Sequence, residues 1–251
     1  LSRLFIQIGR YVLFPLTFAS LAIGTFELRR ERLLLPTYGR LALYLLGSTV
    51  LLVIVGILTV LIFSPQRTPI PVAQETAMRL PGLQDTLLTV FPSNLFQALV
   101  GSGQLLVPLA VLAFLLGLNL AFALRVTTPV AELLDSLNRI FYHLNSLVCE
   151  LFSLAMIAVA AFFLMTLRQS DLGMFKQIIM ILTIDAALVI FAVYPLALYF
   201  LGERDNPYKW LYAVIAPALV GFFSGDNYLS VAMLAKHGHE NLGVPRRVGS
   251  A

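Results

Sequence analysis

In 251 residues the chain carries 59% hydrophobic and only 12% charged side chains, with a mean hydropathy of +0.88. That balance excludes a soluble globular domain and identifies an all-α integral membrane protein whose first partner is the lipid bilayer. The net charge of +4 comes without a basic stripe bearing exposed aromatics, so nucleic acid is excluded as a partner, and the lone Cys149 excludes an intrachain disulfide and multi-cysteine metal sites.

The chain starts at Leu1 directly in an apolar segment containing Arg3 and Arg10, and lacks the short core and small-residue cleavage site of a signal peptide. It stops at Ala251 just after an amphipathic stretch, and the two ends together predict a piece of a longer chain. Hydropathy predicts five spans, Ile6 to Ile23, Leu41 to Phe63, Leu105 to Leu124, Leu147 to Leu167, and Ile178 to Leu201. Between the second and third, Ser64 to Asp85 holds four prolines and mixed charge and reads as an exposed loop. Leu87 to Val100 is broken at Phe91-Pro92-Ser93-Asn94, which predicts a segmented element. Pro195 predicts a kink in the fifth span. Asn145 and Glu150, near the start of the fourth span, read as interface or headgroup-level groups, and Cys149 beside them as a small core residue.

Beyond the fifth span, Leu211 to Phe223 and Tyr228 to Ala235 are each too short to cross a bilayer, which takes about 20 apolar residues. They flank a polar tip, Ser224-Gly225-Asp226-Asn227. Two half-length arms around a tip predict a re-entrant hairpin, and irregular backbone at membrane depth is tolerated where it lines a solute or ion site. Trp210 and Tyr208, beside Lys209, fit an aromatic belt. His237 and His239 in Lys236-His237-Gly238-His239-Glu240 point to different helix faces, and Gly238 weakens a regular helix, so this segment reads as a solvated hairpin foot rather than a metal site. Placing Arg29, Arg30, Arg32, Lys209 and Lys236 on one side leaves few basic residues on the other, which puts that side in the cytoplasm and the protein in the cell (inner) membrane with several passes.

Four stretches resemble the dicarboxylate/amino acid:cation symporter family, which includes glutamate and aspartate transporters. They are Phe14-Pro15-Leu16-Thr17-Phe18-Ala19-Ser20-Leu21, Tyr44-Leu45-Leu46-Gly47-Ser48, Phe91-Pro92-Ser93-Asn94-Leu95-Phe96, and Glu240-Asn241-Leu242-Gly243-Val244-Pro245-Arg246-Arg247. The resemblance implies a glutamate-transporter-like fold, assembled as a homotrimer, in which a transport domain moves like an elevator against a scaffold. It implies a scaffold helix at 1–36, a transport-domain helix at 37–64, scaffold segments including a segmented helix at 65–168, a second transport-domain helix at 169–206, the re-entrant hairpin at 207–244 and a truncated connection at 245–251. It further implies symport of a small organic solute such as a dicarboxylate or amino acid, with no cofactor and with transported sodium or a proton.

Candidate site residues follow from tip and resemblance together. Ser224, Gly225, Asp226 and Asn227 are the candidate solute-binding residues. Asp226 would repel an anionic solute unless a cation, a proton or an arginine missing from this chain compensates it. Tyr44 and Ser48, four apart on one helix face, are the candidate cation ligands, with Gly47 where the family has threonine. Asp185, a lone carboxylate in the fifth span, is a possible coupling group; the alternative is a carboxylate bonded to a neighbouring hydroxyl or backbone group. Besides transport, two readings stay open: a non-transporting membrane scaffold, and an intramembrane aspartyl protease using Asp185 and Asp226.

Overall fold

A computed structural model of the protein describes residues 2–63, 82–92, 94, 106–169, 176–201 and 206–244. The proline-rich loop up to residue 81, the stretch after Asn94 up to residue 105 and the connection at 245–251 lie outside the described residues. Every described element is helical: α1 (Ser2–Arg30), α2 (Leu34–Phe63), α3 (Leu83–Val90), α4 (Leu106–Leu120), α5 (Leu124–Gln169), α6 (Lys176–Leu188), a π-helical turn (Val189–Val193), α7 (Tyr194–Leu201), α8 (Pro207–Ala213), α9 (Ile215–Ser224) and α10 (Asn227–Leu242). Among the described residues, four stretches are long and apolar enough to cross a membrane: Gln7–Arg30, Leu34–Phe63, Leu124–Thr166 and Lys176–Phe200. The expected all-α membrane protein is the observed one.

The helices group into two compact units, residues 1–34, 77–162 and 214–251 in one and 35–76 with 163–213 in the other. In the first, α1 packs on α4 and α5 through Ala22, Ile23, Phe26, Ala113, Leu120, Ala131 and Leu134. Gly117 permits the closest approach: a Cβ there would run into the Ala22 carbonyl and stand 2.8 Å from the Thr25 Cβ. Helix α1 ends in a Schellman motif built on Arg32 rather than glycine. Arg32 takes φ 60°, while the Leu33 and Arg32 amides donate to the Leu28 and Arg29 carbonyls at 2.9 and 3.1 Å.

Two predicted boundaries change. The third span, read as Leu105 to Leu124, is helical over Leu106–Leu120 and breaks before Leu124. The fourth, read as Leu147 to Leu167, is the apolar end of a 46-residue helix that starts at Leu124. Hydropathy hides its first half because Arg125, Glu132, Asp135 and Arg139 dilute the apolar signal. Burial shows one stripe at helical period, from Ala131 and Leu134 through Asn145, Cys149 and Phe152 to Ala155 and Val159. Pro129 lies in the second turn of this helix, so the Arg125 carbonyl goes without its usual main-chain donor.

Helix α3 begins inside the stretch read as loop and stops at Val90, two residues before Pro92, as proline chemistry requires. In the second unit the place of the predicted kink holds the π-helical turn, which runs directly into the helix bearing Pro195. Proline cannot donate to the preceding turn, and a widened turn is one way a helix accommodates that loss. Tyr208 of α8 donates its hydroxyl to the Phe191 carbonyl at 3.2 Å, tying α8 to the π turn.

Candidate functional site

The hairpin is two antiparallel helices, α9 and α10, reversing at Gly225. Gly225 takes φ 63° and ψ 17°, and its amide donates to the Gly221 carbonyl at 3.0 Å, the left-handed cap for which glycine is best suited. The arms close on each other through Ser230, whose hydroxyl donates to the Pro217 carbonyl at 2.9 Å. Val220, Leu229 and Met233 bury against Cys149, Phe152, Ala155 and Val159 of α5, the core position expected for Cys149. Asn145 of α5 is 1% exposed and donates through Nδ2 to the Ala232 carbonyl at 3.0 Å. The expectation of a headgroup-level Asn145 is therefore corrected: it lies on the buried stripe and fastens the second arm of the hairpin.

At the tip, Ser224 donates to the Val220 carbonyl at 2.6 Å and accepts the Asp226 amide at 3.1 Å. These bonds shape the turn, leaving the hydroxyl oxygen one lone pair to offer. Gly225 and Asn227 are exposed. Asp226 is buried, its side chain 4% exposed, and its Oδ2 accepts from Nε of Arg10 at 2.7 Å. Arg10, on α1, keeps 40% of its side chain exposed. The tip carboxylate is thus neutralised by an arginine of this chain, on the first helix, where the expectation was one missing from it. Beside it, Gly9 leaves the room that the Leu229 side chain fills, so Gly9-Arg10 forms a seat for the start of α10.

The sequence holds a signal for this pair. An arginine inside an apolar span and an aspartate at a membrane-depth tip are each expensive alone, and pairing offsets much of that cost. In the sequence Arg10 stands out only as a charge in the first apolar segment, because 216 residues separate it from Asp226.

The foot of the hairpin is also packed rather than wholly solvated. Lys236 is 9% exposed and reaches Glu150 Oε1 at 3.2 Å and the Ser146 carbonyl at 3.4 Å. The helix passes through Gly238 without a break. His237 Nδ1 lies 3.0 Å from the Met233 carbonyl, and His239 Nδ1 lies 3.1 Å from that of Val244.

The remaining candidates belong to the other unit. Tyr44 and Ser48 lie one turn apart on α2, and Ser48 donates to the Leu45 carbonyl at 3.0 Å. Its oxygen lone pairs remain usable by a cation, which binds oxygen and not hydrogen. Gly47 has open space where a Cβ would stand. Asp185 of α6 is partly buried, and its Oδ1 lies 3.0 Å from the Thr59 hydroxyl of α2, so the carboxylate does have a hydroxyl neighbour.

The model of the sodium:dicarboxylate symporter family matches residues 1–251. The chain belongs to that family. A search of curated proteins finds no significant match. Members of the sodium:dicarboxylate symporter family are membrane transporters of the symporter class and not enzymes, which implies the bilayer and a small solute as partners at the level of the family. The Arg10–Asp226 pair is the feature that the family's motifs did not announce.

Proposed function

We propose that the protein is a secondary active transporter that couples inward movement of a small organic anion, a dicarboxylate or an acidic amino acid, to a sodium or proton gradient by an elevator mechanism. The observation that supports this most directly is the neutralised tip: Asp226 is covered and paired, while the more exposed member of the pair is the guanidinium of Arg10. A carboxylate solute arriving at Ser224, Gly225 and Asn227 meets a cationic edge rather than bare negative charge, and arginine suits bidentate carboxylate recognition. Tyr44 and Ser48 contribute to the cation site, and Asp185 takes part in coupling. The protein works as a homotrimer in the cell membrane.

In the elevator assignment α1 is scaffold and the hairpin moves. The Arg10–Asp226 pair and the Gly9–Leu229 contact then cross the sliding boundary and must be remade in each cycle. Ion and solute favour the same conformer, a reciprocal coupling of about 1–3 kcal/mol. The test is uptake by the full-length protein in liposomes, screening dicarboxylates and acidic, neutral and basic amino acids under imposed sodium or proton gradients. Gradient-driven uptake of an anionic solute that weakens in Arg10→Gln supports the reading; no uptake under any gradient by folded protein overturns it. A non-transporting scaffold is the second reading, favoured by the inward bonds of Ser224 and the burial of Asp226, and the same null result would support it.

A further inference from the structure

Helix α1 and the apolar stretch Gln7–Arg30 end at the same residue, and the next long apolar stretch starts at Leu34. The turn between them therefore lies at the height of the lipid headgroups. Arg29, Arg30 and Arg32 are concentrated there. Cζ of Arg29 stands 4.1 Å from the centroid of the Phe122 ring, in the turn between α4 and α5, and that of Arg30 stands 6.0 Å from the Phe26 ring. Arg125 follows Phe122 by three residues and is exposed, as are Arg30 and Arg32. The ion pairs found among the described residues are Arg10–Asp226, Arg139–Asp135 and Lys236–Glu150, and none of these four arginines belongs to one. Glu27 and Glu31 lie in the same stretch of chain and leave an excess of positive charge.

A helix C-terminus favours cations on electrostatic grounds alone. That covers Arg29 and Arg30 but neither of two further features. Arg32 holds φ 60°, a left-handed position that glycine fills at lower cost. Phe122 and Val126 are 73% and 78% exposed, an apolar surface beside the arginines. A ring attracts the guanidinium charge but does not match its in-plane N–H fork, which stays available to phosphate oxygens. We infer that this end of the first unit binds an anionic phospholipid of the adjacent leaflet, its phosphate held by the four arginines and an acyl chain laid along Phe122 and Val126. Such a site depends on the membrane location and not on symport.

A soluble phosphate would meet the same arginines and leave the apolar surface unused. A phospholipid covers both, and basic clusters at the end of a span attract anionic headgroups.

Native mass spectrometry of the full-length protein released from nanodiscs of phosphatidylcholine with a graded share of phosphatidylglycerol reads the site directly. The parent should retain phosphatidylglycerol in preference to phosphatidylcholine. Arg29→Gln should lower that preference about fivefold, and Phe122→Ala should lower it as well. Arg139→Gln, which alters an exposed arginine about 21 Å along α5 from Arg125, should leave it unchanged. Arg32→Gly separates lipid binding from folding: glycine relieves the left-handed backbone, so the melting temperature in phosphatidylcholine should rise while phosphatidylglycerol retention falls. Equal retention of the two lipids by the parent overturns the proposal, as does parent-like retention in Arg29→Gln, Phe122→Ala and Arg32→Gly. A loss in Arg139→Gln as large as that in Arg29→Gln overturns it in favour of overall charge. Displacement of the lipid by an equal concentration of glycerol 3-phosphate overturns it in favour of a soluble anion.

Discussion

Two aspartates sit among apolar helices in this protein, and their surroundings solve the same electrostatic problem in opposite ways. Asp226 meets a full opposite charge at 2.7 Å from a helix far away in sequence, and the pair holds the hairpin tip to α1. Among the described residues Asp185 meets a neutral hydroxyl, that of Thr59, at 3.0 Å. A carboxylate with a fixed counter-charge is stabilised as an anion and serves as an anchor. One beside a neutral hydroxyl joins two helices without a counter-charge. Burial and sequence context alone do not separate these two settings; the partner does.

The comparison breaks most visibly at Arg10. Arg10→Ala removes the counter-charge from a buried carboxylate and should destabilise the hairpin by about 1–3 kcal/mol, read as faster proteolysis at the tip and a lower melting temperature in detergent. The double variant Arg10→Gln with Asp226→Asn should recover most of that loss, and an equal or greater loss would show that the pair is not what holds the tip. Asn145→Ala removes the bond to the Ala232 carbonyl and should cost about 1–3 kcal/mol, loosening α10 without touching the tip charge. Asp185→Asn sharpens the contrast from the other side. With an oxygen kept toward the Thr59 hydroxyl, its stability change should stay below about 1 kcal/mol, as thermal melts in detergent would show. The smallest effect is expected at Gly47→Thr, where nothing obstructs a side chain; helix stability should rise by a few tenths of a kcal/mol, with tighter cation dependence as the sensitive readout.

Class, hairpin and tip were legible because they depend on local composition: apolar length, a glycine between two short arms, and polar residues where hydrocarbon is expected. The long polar half of α5 was not, since hydropathy averages over all faces while burial follows one. Asn145 and Lys236 looked superficial for the same reason, each being a polar residue placed on an inward stripe. Arg10 escaped because pairing across 216 residues is a property of the fold and leaves no spacing to read. Asp185 was recognisable as unusual, but its hydroxyl neighbour lies 126 positions earlier in sequence, beyond any local pattern.

The length of α5 has a mechanical meaning. One uninterrupted rod carries the contact with α1 and α4 near Leu134 and the hairpin near Val159, so neither attachment can tilt without swinging the other. Over the roughly 35 Å between them, a tilt of about 5° translates into about 3 Å of travel, more than half a helical turn. A small rocking at one end is therefore geared into a displacement large enough to unseat side-chain contacts at the other.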